Sequence, residues 1–119
     1  DSAGTSAYHA GEHPDPRSID VARRNGVNIE RQRSRQLIAA DFDVYHYIVA
    51  MDDSNLRNMR RLTTRSSRAQ LSLMLDELGD PGRDVPDPYY GGASGFETVW
   101  SMVNSASHAL LDRILSERG

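Results

Sequence analysis

One octapeptide sets the fold class. Residues 44–51, V-Y-H-Y-I-V-A-M, are rich in β-branched and aromatic side chains and apolar at odd and even positions alike. A strand with two apolar faces needs cover on both, which is the environment of a parallel sheet between helices. D-D-S-N follows at 52–55, several candidate helix caps in a row, and then L-R-N-M-R-R-L with apolar positions 56, 59 and 62 at helical spacing. Strand, polar loop, helix is the α/β signature.

The flanking segments extend the pattern. Residues 2–14 are small, polar and glycine-containing, hence a loop. Asp15 then Pro16 read as an N-cap and a first helical proline, opening a helix to about Asn25 with Gly26 as its left-handed cap. V-N-I-E-R-Q-R-S-R-Q at 27–36 suits a short strand or extended loop, and Ala39–Phe42 a brief turn. Leu71, Met74, Leu75 and Leu78 lie on one helical stripe, so a helix is expected over 66–78, stopped by Gly79. A short strand fits Arg83–Val85, and Ser94-Gly-Phe-Glu97 is a capping box for a long final helix. Its stripe is Phe96, Val99, Val103, Ala106, Leu110 and Ile114, with Trp100 expected in the core.

Composition narrows the function. A chain of 119 residues and 13.3 kDa holds one core, and 38% hydrophobic with 26% charged residues is a globular balance. The net charge of −3 argues against a nucleic-acid or membrane-surface partner, either of which favours a basic surplus. All 14 basic residues are arginine, which suits phosphate and carboxylate partners but reads first as genome bias. Cysteine is absent, so these residues hold no disulfide, thiolate metal site or thiol nucleophile. The four histidines, 9, 13, 46 and 108, are scattered, and the one pair four residues apart, 9 and 13, falls in the loop of 2–14 rather than on a helix, so no zinc site is expected. The longest apolar run, Tyr47–Met51, is far short of a membrane span. The chain opens on D-S-A-G-T without Met, like a strand end running into a loop.

D-V-P-D-P-Y-Y-G-G at 84–92 is the chemical clue. Two prolines and two glycines exclude helix or central strand for most of it, yet it carries two large aromatics that a plain connector does not need. Asp87 is held between Pro86 and Pro88. From the tripeptide alone, it reads as an ordinary turn residue.

With these segments placed, the chain resembles the low-molecular-weight protein tyrosine phosphatases. The resemblance rests on D-S-A-G-T-S-A-Y at 1–8, P-D-P-R-S at 14–18, A-D-F at 40–42, A-M-D-D-S-N-L at 50–56, D-P-Y-Y-G at 87–91 and F-E-T-V at 96–99, in that family's order and approximate spacing. It covers essentially the whole chain. It implies a flavodoxin-like three-layer α/β fold, a parallel sheet of strand order 2-1-3-4, in one partial domain over residues 1–119. The family opens with strand 1 and a C-x5-R-S phosphate loop, and nothing here matches that motif. One strand-loop-helix unit of roughly 30 or more residues is therefore expected to be missing, with strand 1 supplied by an N-terminal segment or by a second copy. The absent strand is central. Leaving its neighbours unpaired costs on the order of 1–3 kcal/mol per buried group, against about 5–15 kcal/mol for a domain's whole stability.

The resemblance also assigns roles. It implies a cytoplasmic enzyme that hydrolyses phosphotyrosine on protein, or an aryl phosphate, through a phosphocysteine intermediate with no cofactor or metal. Asp87 matches the general acid that protonates the leaving phenolate. Tyr89 and Tyr90 match the aromatic pair lining the phosphotyrosine cleft, although at least one ring could instead be core under the loop. Tyr8 falls where the family often has an opposing aromatic wall. His9 beside it could tune specificity, and a solvated loop histidine is the plainer account. Asp52, Ser54 and Asn55 sit where ligands bind at the C-terminal ends of parallel strands, and the resemblance implies that they brace the phosphate loop. Helix capping is an equal and compatible account of the same residues. His46 stands where relatives often carry Asp, and reads as a packed or partner-bonded strand residue rather than a catalyst. The chain alone is expected to be inactive. The alternatives are a catalytically dead phosphatase-like binding module, or a related arginine phosphatase. The latter tend to have Phe-Gly after D-P, so D-P-Y-Y favours the tyrosine enzyme.

Overall fold

β1, Tyr47–Ala50, lies between two apolar layers, as its two apolar faces require. The structure, a computed structural model, describes residues 2–6, 10–79, 83–87 and 92–118, the last four-residue fringe (92–94 and 118) by backbone alone. Ile48 and Ala50 face a cluster of Leu37, Phe42, Leu56, Met59 and Leu73. Val49 faces the opposite way, toward Met74, Leu75, Met102 and Ala106. Alternate residues of one strand thus serve two cores, the period of two that a pleated strand imposes.

The elements in chain order are α1 (Pro16–Arg24), α2 (Asp41–Val44), β1, α3 (Asp53–Leu62), β2 (Gln70–Leu73), a 3₁₀ turn (Met74–Leu78) and α4 (Gly92–Arg118). β1 and β2 pair in parallel, with Tyr47 opposite Gln70 and Ala50 opposite Leu73. α3 is the crossover between them and packs on both strands. A parallel bridge between Gly4 and Gln36 stands apart from this pair. It is closed by Gly4 N–H donating to Arg35 C=O at 2.9 Å and Leu37 N–H donating to Gly4 C=O at 2.7 Å. Of a four-strand order 2-1-3-4, the described residues supply this one paired ladder and this one bridge.

α1 follows its sequence signals. The Asp15 carboxylate accepts from the Arg17 amide at 2.8 Å, Pro16 opens the helix, Asn25 caps its end and Gly26 turns the chain at φ +80°. Residues 27–36 form the extended loop, held to α1 by Val27 N–H donating to Ala22 C=O at 2.9 Å and by the Arg23–Glu30 pair, and bridged to Gly4 at Gln36.

Four expectations need correction. The strand is shorter than 44–51: Val44 ends the helical turn α2, is 68% exposed, and Tyr45 only begins the extension. The 66–78 helix does not form. Residues 70–73 are β2, and only 74–78 coil, as a 3₁₀ turn ended by Gly79 at φ +77°. Q-L-S-L alternates, and pairing with buried β1 outweighs the helical spacing of the leucines. Arg83–Val85 is not a strand, although Val85 N–H donates to Met51 C=O at 2.8 Å in a sheet-like bond. α4 starts at Gly92 rather than after Ser94, and the Glu97 carboxylate is taken by Arg24 at 2.8 Å.

α4 crosses the second core face with Phe96 and Ala106 buried. Trp100 is half-buried in the groove between α4 and α1 rather than within a core. Arg17 stacks 4.4 Å from the Phe96 ring centre, which with the Arg24–Glu97 pair holds α1 against α4. Further along, Arg113 forks onto Glu77 at 2.8–3.2 Å and onto Glu117 at 3.0 Å, while the Tyr47 hydroxyl donates to Glu117 at 3.1 Å. These bonds fasten the end of α4 to β1 and to the turn after β2.

Candidate active site

The C-terminal end of β1 gathers the candidate residues. The chain leaves Ala50 through Met51 and reaches Asp52, an extended N-cap (φ −144°, ψ 171°) whose carboxylate accepts from the Asn55 amide at 2.7 Å. This is the capping account of Asp52, realised. Ser54 is exposed on the first turn of α3, and Asn55 is half-buried. The positive end of the helix dipole attracts anions, and here two carboxylates already answer it: Asp52 on the Asn55 amide and, from another segment, Asp84 on the Asp53 amide at 2.8 Å.

A second segment is pinned onto the same place. Asp53 N–H donates to the Asp84 carboxylate at 2.8 Å, and Val85 N–H donates to Met51 C=O at 2.8 Å. Both bonds span more than 30 residues, so 83–87 is docked onto the strand end and not merely nearby. Asp87 follows Val85 by two residues, at most about 7 Å of chain. Its side chain is exposed. The sequence did not single out Asp84. The available signal was an acid close before Asp87 that could serve the electropositive start of a helix elsewhere.

Beside this junction runs a cleft of about 360 Å³. One wall is Ser2–Thr5 with Leu37; the other is the Tyr47, Val49 and Ala50 side of β1, continuing through Met51 and Asn55. Asn55 thus joins the candidate residues to the cleft, whereas Asp52, Ser54 and Asp87 do not line it. Tyr8, His9, Tyr89 and Tyr90 lie outside the described residues. His46 is exposed just before β1, and its carbonyl accepts the Gln70 amide at 2.8 Å; it is a strand-edge residue.

The shifted titrations lie away from this junction. Arg35 holds the Asp41 carboxyl below the usual carboxylate range through a 3.0 Å hydrogen bond, aided by the Ile38 amide at 2.9 Å. Arg113, then the Tyr47 hydroxyl, likewise lower Glu117. Among the described residues no group of His, Asp and Glu could hold a metal ion, and no helix is long and apolar enough to cross a membrane.

The likeness to known proteins is as extensive as the fold. A sequence profile of the family described as low molecular weight phosphotyrosine protein phosphatase matches residues 1–118. The chain belongs to this family. The low molecular weight phosphotyrosine protein phosphatase of Schizosaccharomyces pombe is 45% identical over 116 residues, covering 96% of this chain and 73% of that protein. Among solved structures, the protein tyrosine phosphatase of Entamoeba histolytica superposes with TM-score 0.89 at 31% identity, over all of this chain and 76% of that one. The arginine phosphatase of Drosophila superposes with TM-score 0.86 at 26% identity, over 96% of this chain and 75% of that one. The phosphatase fold thus accompanies at least two phosphorylated side chains, and substrate choice must be sought in site residues.

Proposed function

We propose that this chain is the C-terminal portion of a cytoplasmic phosphatase that hydrolyses phosphotyrosine through a phosphocysteine intermediate, with Asp87 as general acid. The observation that carries the reading is the docking of 83–87 onto the end of β1 by the Asp53–Asp84 and Val85–Met51 hydrogen bonds. It sets the Asp87 segment at the C-terminal end of β1, where ligands bind in open parallel sheets. A carboxyl held there can give its proton to the leaving phenolate as a thiolate attacks phosphorus. Tyr89 and Tyr90, with Tyr8 opposite, are proposed to wall the aryl group, and His9 to tune specificity. Asp52, Ser54 and Asn55 are proposed to brace the phosphate loop.

The thiolate and the phosphate loop are proposed to come from a C-x5-R-S strand-loop-helix that pairs along the cleft between Gly4–Leu37 and β1. This cleft separates the bridge at Gly4 from the β1–β2 ladder, and Val49 and Ala50 line it. A strand laid there gives the order 2-1-3-4, with β1 and β2 third and fourth.

The test is aryl-phosphate hydrolysis by the 119-residue chain, alone and joined to such a segment. The joined protein turns over and the chain alone does not. Turnover by the chain alone that is abolished in Asp87→Ala would overturn the proposal. The likeness to the Drosophila arginine phosphatase favours a second reading in which phosphoarginine is the substrate. Comparing phosphotyrosine and phosphoarginine as substrates of the joined protein separates the two.

A further inference from the structure

The arginines are unevenly placed. Residues 54–75 hold five arginines and no acid, in a chain that elsewhere sets nine arginines against all 17 of its acids. Arg60 and Arg61 close α3, where a helix C-terminus favours cations. Arg65 and Arg68 lie past the helix on the exposed loop into β2, where that explanation fails. Elsewhere the cations are mostly paired: Arg17 with Asp15, Arg23 with Glu30, Arg24 with Asp20 and Glu97, Arg35 with Asp41, Arg113 with Glu77 and Glu117; within the stretch, Arg57 pairs back to Asp53. Arg60, Arg65 and Arg68 have no carboxylate partner among the described residues, and Arg61 has only the Asn58 amide at 3.4 Å. The loop is tied to α2 by Ser67 Oγ donating to Phe42 C=O at 2.9 Å, and α2 carries one exposed acid, Asp43.

We propose that Arg60, Arg61, Arg65 and Arg68 form a docking surface for a short acidic segment of a partner protein. Guanidinium forks pair with carboxylates two bonds at a time, and Thr64 and Ser66 supply hydroxyls between them. A nucleic acid fits less well: residues 54–75 contain no aromatic ring for stacking. A membrane also fits less well, because Leu62 is the only large apolar side chain exposed within the stretch. Long polyanions and anionic bilayers are further opposed by the chain's overall −3. A short segment responds to charge only within a Debye length of about 8–10 Å, where the arginines dominate. The surface lies at the end of α3 remote from Asp52, about 15 Å along the axis at 1.5 Å per residue, so docking there leaves the candidate active site open.

The test is fluorescence anisotropy of a short labelled poly-glutamate peptide titrated with the protein. R60Q/R61Q/R65Q/R68Q, its fold checked by circular dichroism, binds roughly thirtyfold more weakly, about 2 kcal/mol at 1.4 kcal/mol per tenfold. R65Q/R68Q, confined to the loop, shows part of the loss, and R23Q/R31Q binds as the unaltered protein does. The proposal is overturned if the unaltered protein does not bind the peptide, or if R23Q/R31Q loses as much as the fourfold variant. Tighter binding to phosphatidylglycerol vesicles or single-stranded DNA than to the peptide overturns it equally.

Discussion

The main-chain amide of Asp53 donates to the carboxylate of Asp84 at 2.8 Å, joining the first turn of α3 to the segment that carries Asp87. Asp84 acts as a cap delivered from 31 residues away, supplementing the local cap Asp52. Asp84→Ala is expected to cost about 0.5–1 kcal/mol, in the range of lost helix caps. Native-state hydrogen exchange gives the sharper readout: exchange at the Asp53 amide speeds up, while amides in the middle of α3 keep their rates. Unchanged exchange at Asp53 would mean that Asp84 does not cap.

Arg113 and Glu77 form the most enclosed ion pair among the described residues, with the Glu77 side chain 7% exposed. Removing only the cation strands a buried carboxylate. Arg113→Ala is expected to cost about 2 kcal/mol, less than a fully buried pair because Arg113 is one-third exposed. The double variant R113M/E77L recovers most of that loss, since an apolar replacement leaves no orphan charge. Denaturant unfolding of the three proteins decides. Equal destabilisation by the single and double variants would show that the packing, not the charge, carries the effect.

Asp41 supplies a pH dependence of known sign. Its folded-state pKa is lowered by Arg35, then by the Ile38 amide, so its contribution is complete above the unfolded carboxylate value of about 3.9. The contribution is lost as pH falls through the lower, folded value. Asp41→Asn is expected to cost about 1–2 kcal/mol at neutral pH. The stability curves of the two proteins then run parallel above about pH 5 and begin to converge as pH falls below the unfolded carboxylate value. A constant gap down to the lowest pH would remove the Asp41–Arg35 pair as its cause.

Leu75, fully buried against Ala106 of α4, anchors the turn after β2. Leu75→Ala is expected to cost about 3 kcal/mol, the usual toll of a leucine-sized cavity. The loss appears as a lower midpoint of unfolding. Leu78→Ala, three residues on and exposed, moves it little. Equal effects at both positions would restore the single helical stripe expected from sequence.

Leu75 and Leu78 also show where sequence reading stops. Local chemistry was legible: Asp15-Pro16 opens α1, Gly26 and Gly79 turn the chain at positive φ, and the two apolar faces of 47–50 do meet two cores. The failure at 66–78 arose because Leu71, Met74, Leu75 and Leu78 suit a helix and also a strand passing into a 3₁₀ turn. Only the ladder with β1, more than 20 residues away, separates the two. At the candidate site, Asp52 and Asn55 were legible because capping is local. Asp84 was not, because its partner amide becomes a neighbour only after folding. Net charge hid the arginine surface for a similar reason: it averages over regions that do not touch.

The central claim is that Asp87 is the proton donor of a phosphotyrosine phosphatase. It is tested most directly by kcat in the chain joined to its C-x5-R-S unit, compared between the unaltered protein and Asp87→Asn on an aryl phosphate with a poor leaving group and on one with a good leaving group. The account predicts that kcat falls by about 10²–10⁴-fold on the poor leaving group, the usual worth of general acid catalysis, and far less on the good one. An equal, small change on both substrates would contradict it.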